Sequence, residues 1–304
     1  MGRAEGRASM NAIETVSLTK SYGRHVAVRG IDLVVPEGAC AVLVGANGAG
    51  KSTTLQMLMN LVAPTSGEAI VLGRRSQTLR GEVFQHIGYA SESQELPPIS
   101  TTQFFNYLRG LYPKWDKGLE QETRDRLKVS DKRSLRSLSR GERMKACIAA
   151  ALPFAPELVV MDEPLGGLDP VSRAAVVDLL IDRAPHTTML ISSHDIADLE
   201  GLATHVAVMH AGRLILQDEV EAILSRFRSV NVRGLSSKIQ PSTDWLGVQA
   251  QDDHMRFVHS RFTETSLAEI HSVVGPEARI DVSGLSLSAV LTAMMRSAEE
   301  SSTP

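Results

Sequence analysis

Residues 45–53 read Gly45-Ala46-Asn47-Gly48-Ala49-Gly50-Lys51-Ser52-Thr53, the spacing G-x-x-x-x-G-K-[ST]. These residue types in this order bind phosphate. Glycines let the backbone curl until several N–H groups point inward at phosphate oxygens. A helix starting at Lys51 turns its positive N-terminal end to the same anion. Lys51 is placed to reach β- and γ-phosphates, and the Ser52 hydroxyl to ligate Mg2+. Gly45, Asn47, Gly48, Gly50 and Thr53 complete the cradle. A second constellation is Leu158-Val159-Val160-Met161-Asp162-Glu163. Four apolar residues lead to carboxylates at the C-terminal end of a strand, the place where open α/β sheets bind ligands. Asp162 would hold Mg2+ directly or through water. Glu163 would orient or deprotonate a water attacking the γ-phosphate.

The elements that must position these groups are legible around them. Cys40–Val44, Leu158–Met161 and Thr188–Ile191 are short runs apolar on both faces, as buried parallel strands require. Residues 13–18, 31–35, 69–72 and 87–89 read as further strands, and 206–209 with 213–217 as a hairpin around Ala211-Gly212. Helices are predicted over 51–60, across much of 101–150 and over 171–183. Strands alternating with helices argue an α/β fold with a mainly parallel sheet. Beyond about residue 225 the texture changes to Ser-rich pieces, short strands and one helix near 285–296.

The chain has 304 residues, 43% hydrophobic and 22% charged, with 32 basic against 35 acidic side chains. That is ordinary globular composition and excludes wholesale disorder. No basic field points to a polyanionic partner, so no nucleic acid is expected. Nowhere do 18 apolar residues run together, so no spanning helix is predicted. Residues 1–10 read as a flexible leader with no apolar signal-peptide core. Cys40 and Cys147 each sit in an apolar run and read as buried thiols of a reducing, cytoplasmic compartment.

Several further motifs occur in a telling order. Tyr22 follows Lys20-Ser21, Leu138-Ser139-Arg140-Gly141-Glu142 lies 24 residues before Asp162, Gly167-Leu168-Asp169 follows Glu163, and His194 follows Ser192-Ser193. With the phosphate loop, this set resembles the ATP-binding subunits of ABC transporters, over about residues 13–225. The resemblance implies a P-loop NTPase (RecA-like) core with an antiparallel β subdomain and an α-helical insertion at about 95–150. It puts the ATPase domain at 11–225 and leaves residues 226–304 as a small C-terminal α+β appendage. It also implies ATP and Mg2+ as ligands. Tyr22 would stack on adenine, and Ser139 and Gly141 would face the γ-phosphate of ATP on a second subunit. Asp169 would couple the two sites, and His194 would sense the γ-phosphate. Lys51, Glu163 and His194 are then the catalytic set.

Two positions depart from the family pattern. After Ile87-Gly88-Tyr89-Ala90-Ser91, Glu92 stands where a glutamine is usual. As a carboxylate it is a candidate Mg2+ ligand, and its added negative charge implies slower or more metal-dependent hydrolysis. In the signature, Arg140 replaces a glycine and Glu142 a glutamine. Arg140 either reaches a phosphate across the dimer or faces solvent. These variations resemble ABC-2-type export subunits.

The resemblance also supplies partners. The permease would be a separate membrane chain, with this subunit a homodimer, or a heterodimer with a related subunit, held peripherally on the cytoplasmic side of the cell membrane. Residues 92–135, with Leu96, Phe104, Phe105, Tyr107, Leu108, Leu111, Tyr112 and Trp115, would form the docking groove. Two alternatives stand beside transport: a soluble ABC ATPase working on nucleic acid or ribosomes, and an ATP-dependent dimerisation switch without turnover.

Overall fold

The computed structural model describes residues 11–131, 133–234 and 241–302. The expected leader over 1–10 lies outside them. The chain forms two compact units, divided between Gln217 and Asp218. The division comes eight residues before the expected limit at 225, which falls within a helix of the second unit.

The first unit opens with β1 (Asn11–Tyr22), β2 (His25–Ile31) and β3 (Val34–Pro36), followed by β4 (Cys40–Val44) and α1 (Lys51–Leu58). Next come β5 (Ser66–Val71), β6 (Arg74–Arg75), α2 (Gly81–Phe84) and β7 (Ile87–Ser91). The insertion holds α3 (Thr101–Leu111), α4 (Lys117–Arg126) and α5 (Arg140–Ala151). After it run β8 (Leu158–Asp162), α6 (Pro170–Arg183), β9 (Thr188–Ser193), β10 (His205–His210) and β11 (Arg213–Glu219).

Two sheets result. One has the order β11-β10-β4-β9-β8-β7, with every pairing from β10 to β7 parallel. All residues of β4, β8 and β9 are buried, as their two-faced apolar sequences require. The other sheet is antiparallel, β2-β1-β5-β6, with β3 also on β1. One core, including Leu43, Leu55, Leu58, Val71, Val160 and Leu190, joins strands of both sheets to α1. The single strand expected over 31–35 is two strands instead. The chain breaks at Asp32, whose carboxylate accepts the Ser17 N–H at 2.6 Å, and β2 begins earlier, at His25. Both cysteines are buried, and desolvation pushes each thiol up to about 12.

The second unit contains α7 (Val220–Arg226), β12 (Arg228–Arg233), β13 (Trp245–Gln251), β14 (His254–His259), α8 (Ser266–Val274), β15 (Arg279–Ser283) and α9 (Leu287–Ser302). Its antiparallel sheet has the order β13-β14-β12-β15. Trp245 stacks on Phe257, centroids 4.2 Å apart, within a core that includes Val230, Val232 and Ile270. The sequence reading missed α8, whose buried Ile270 and Val274 are one helical turn apart.

Candidate nucleotide-binding site

The phosphate loop joins β4 to α1. At Gly50 the backbone turns left-handed (φ 104°), and a Cβ there would stand 2.5 Å from the Ala27 carbonyl oxygen. At Gly45 a Cβ would stand 2.4 Å from the Met209 carbonyl oxygen. Only glycine fits either place, so the loop's path is set by close backbone approach. Lys51 is 5% exposed. Its ammonium donates to the Gly45 carbonyl at 2.7 Å and the Ala46 carbonyl at 3.3 Å. It also lies 3.1 Å from Glu163 Oε1, a buried atom that receives no well-directed hydrogen bond.

The carboxylates come from β8, separated from β4 by β9. Asp162 Oδ1 accepts from Ser52 Oγ at 3.0 Å and from Ser192 Oγ at 2.6 Å. The same Ser192 hydroxyl accepts the Glu163 N–H at 3.0 Å. Glu163 has φ 51°, left-handed for a residue with a side chain, a conformation that persists only where its surroundings enforce it. Its Oε2 lies 2.7 Å from His194 Nδ1. Burial alone would raise the Glu163 pKa, but the His194 hydrogen bond and the Lys51 charge outweigh it and hold the carboxyl below its ordinary value. Glu163 is therefore an ionised acceptor at neutral pH, gripped from both sides.

Lys51, Ser52, Glu163 and His194 line one cavity of about 460 Å3, with Tyr22, His25, Ala27, Asn47, Gly48, Gly50, Thr53, Glu92, Arg140 and Gly166. Asp162 and Ser192 lie behind that wall, joined to it through Ser52 and Glu163. The volume falls within the range of small-molecule sites. Tyr22 is 48% exposed, with Lys20 Nζ 5.0 Å from its ring centroid, so it is a cavity wall and not a core tyrosine. Its exposed ring gives a nucleobase a flat surface to stack on. Ser192 and His25 were missed by sequence reasoning. Ser192 sits beside His194 in the motif but reads there as a spacer. His25 carries no motif and reaches the cavity only through the turn after Tyr22.

Ser52 Oγ and Asp162 Oδ1 suit a divalent cation, since adjacent oxygens of an octahedral Mg2+ shell lie about 3.0 Å apart. Among the described residues no three His, Cys, Asp or Glu side chains cluster as a metal site. Glu92, expected as a further Mg2+ ligand, lines the same cavity as Ser52 but makes its side-chain contact elsewhere. Its carboxylate is paired with the Arg140 guanidinium of the same chain.

The signature segment sits at the start of α5. Ser139 is its N-cap, accepting the Glu142 N–H at 3.3 Å, while Glu142 Oε2 accepts the Ser139 N–H at 2.8 Å. This reciprocal pair is a capping box. Glu142, read from sequence only as a departure from the family pattern, thus has a structural duty, and the Ser139 backbone hydrogen bond helps hold its pKa below the usual value. Gly141 lies in the first turn. Asp169 caps α6, accepting from Val171 N at 3.1 Å and from Ser172 N at 3.0 Å. The Ser172 hydroxyl, 2.6 Å from it, is the first cause of its lowered pKa.

A phosphate loop between strand and helix, with two carboxylates and a histidine at the ends of neighbouring strands, defines a P-loop nucleotide-hydrolysing domain. The comparisons sharpen that class. The ABC transporter family matches residues 28–166. The chain is 33% identical over 223 residues to a bacitracin transport ATP-binding protein of Enterococcus faecalis, covering 71% of this chain and 72% of that one. It is 31% identical over 277 residues to the Nod factor export ATP-binding protein I of Cupriavidus metallidurans, covering 85% and 89%. A solved ATP-binding subunit of an ABC transporter superposes with a TM-score of 0.63 at 22% identity, over 70% of this chain and 92% of that one. The chain belongs to the ABC transporter family as an ATP-binding subunit, an ATPase coupled to transport. No helix among the described residues is long and apolar enough to cross a membrane.

Proposed function

We propose that this subunit hydrolyses Mg2+-bound ATP in the cavity above and passes the resulting dimer closure and opening to a separate membrane permease, in the direction of export. The observation that carries the reading is that Lys51, Glu163, His194 and Ser52 line one cavity walled by Tyr22, with Asp162 hydrogen-bonded to Ser52 at its edge. Tyr22 stacks on adenine. The loop N–H groups and Lys51 hold the phosphates. Glu163 accepts the proton of the attacking water, and His194 keeps that carboxylate aimed while contacting the γ-phosphate. Ser52 and Asp162 are the residues that would hold Mg2+, which neutralises phosphate charge when bound. Ser139 and Gly141, at the positive end of α5, serve the nucleotide of a second subunit, and Asp169 lies at the junction of the two sites. Such a dimer, of two copies or of one copy and a related subunit, works peripherally on the cytoplasmic side of the cell membrane. Export is supported by the variant motifs and by a relative named for export. Nothing in the charge balance favours a nucleic-acid partner.

Replacing Tyr22 with Ala should raise the KM for ATP about tenfold and leave kcat within about twofold, because base–aromatic stacking is worth about 1–3 kcal/mol. Steady-state kinetics with Tyr22→Phe as the retaining control checks this. An unchanged KM removes Tyr22 from the site.

For the permease we propose an apolar groove of about 210 Å3. It is lined by Phe104, Leu108 and Tyr112, residues expected for it, and by Met59, Leu61, Phe84 and Phe154, which were not. Phe105 and Trp115, also expected for it, are not among its lining residues, although Trp115 packs on Tyr112 and Phe154. Phe105 is fully buried in the insertion. Trp115 Nε1 donates at 2.8 Å to buried Glu120, whose carboxylate also binds Arg109 and Arg124. Leu61 is 60% exposed, and an apolar groove is the form in which a partner's helix is received. Leu61→Glu should abolish co-purification with the permease and leave ATP turnover of the isolated subunit within about twofold. Retained co-purification and transport would remove this groove as the docking site.

A further inference from the structure

The two departures from the family pattern meet. Arg140, from the start of α5, forms an ion pair with Glu92, from the loop after β7 of the same chain. The Arg140 stem runs over Gly166 and Gly167. A Cβ at Gly167 would stand 3.3 Å from Arg140 Cδ and 3.4 Å from its Nε, and one at Gly166 would stand 3.5 Å from its Nη2. The two glycines thus leave the track along which this side chain reaches Glu92. Both charges line the cavity that holds Lys51 and Glu163. The pair is open to solvent, with side-chain exposures of 55% for Arg140 and 41% for Glu92, so it adds little to folding stability. Its position beside the phosphate loop is where its charges have consequence.

We propose that Arg140 is a nucleotide-binding residue acting within its own chain. Its guanidinium offsets the Glu92 carboxylate, and the two together set the affinity of the site for a nucleoside triphosphate. The inference rests on the ATP-binding reading and adds a residue to it. A carboxylate alone in this wall repels a polyanion, and a guanidinium alone attracts one. Paired, they nearly cancel. The two single neutralisations must therefore act with opposite signs, which loss of a merely structural contact would not produce.

The test is equilibrium binding of a fluorescent ATP analogue to the full chain in low salt with EDTA, so that no metal enters the comparison. Arg140→Gln should weaken binding about threefold to tenfold, and Glu92→Gln should strengthen it by a similar factor, the scale of one unit charge near a solvent-exposed site. The double variant should return to within about twofold of wild type. Both single effects should shrink at 0.5 M salt as screening grows. Circular dichroism confirms that each variant is folded, and the charge swap Glu92→Arg/Arg140→Glu should bind within about threefold of wild type. Single variants that shift affinity in the same direction, or not at all, overturn the pair. Absence of Lys51-dependent binding by the wild-type chain would instead overturn the ATP-binding reading itself.

Discussion

Glu163→Gln should lower ATP turnover by about a hundredfold to a thousandfold while leaving ATP affinity within a few-fold of wild type. The amide keeps the shape of the side chain but cannot take a proton, and a positioned general base contributes about 10²–10⁴ in rate. The geometry supports this for Glu163 in particular. Its backbone is held in a left-handed turn with the N–H tied to Ser192, and its carboxylate sits between Lys51 and His194. Because the folded pKa is lowered, the base stays ionised through neutral pH, and its contribution is lost only as pH falls through that lowered value. Slowed hydrolysis also prevents reopening, so the variant should accumulate as an ATP-bound dimer visible by light scattering. Turnover at the wild-type rate would exclude Glu163 as the base, and slowed turnover without an accumulated dimer would exclude the proposed coupling of hydrolysis to reopening.

Lys51→Ala should weaken ATP binding by about a hundredfold or more and take hydrolysis with it. Lys51 is the buried cation of the phosphate loop, and hydrogen bonds to a charged group are worth about 1.5–3 kcal/mol each. The substitution also removes the cationic partner of Glu163, whose carboxyl pKa should rise as a result. The sign for stability follows. A carboxylate with a lowered folded pKa stabilises the fold above its unfolded pKa, and that contribution is lost as pH falls through the folded value. Lys51→Ala should therefore flatten the acid limb of the melting profile. Isothermal titration with ATP and thermal melts between acid and neutral pH read both effects. Undiminished ATP affinity would place the phosphates elsewhere in the cavity.

Much of the site was legible because its chemistry lies in contiguous segments. The phosphate loop is nine successive residues, and Asp162 and Glu163 end an apolar strand whose character is itself local. In such segments the spacing of residue types already dictates backbone shape and direction. The central strands were readable for the same reason, since β4, β8 and β9 are buried on both faces and carry no competing pattern. The helix α8 was harder, because its short apolar pattern acquires meaning only against the sheet it covers.

What sequence alone determined, then, was the phosphate loop between a buried strand and a helix, and the carboxylates that end the strand Leu158–Asp162 and begin the turn after it. Tertiary structure decided the contacts between segments far apart in the chain. Arg140 could have faced solvent or a second subunit, and packing of the glycines at 166–167 turned it towards Glu92. The apolar groove proposed for docking combines Phe104 and Leu108 of α3 with Met59, Leu61 and Phe154, a combination that no single stretch encodes. Ser192 became the link between Asp162 and Glu163 because β8 and β9 lie side by side in register. Local chemistry follows from neighbours along the chain, whereas charge pairing and apolar walls follow from neighbours in space, and only folding brings those together.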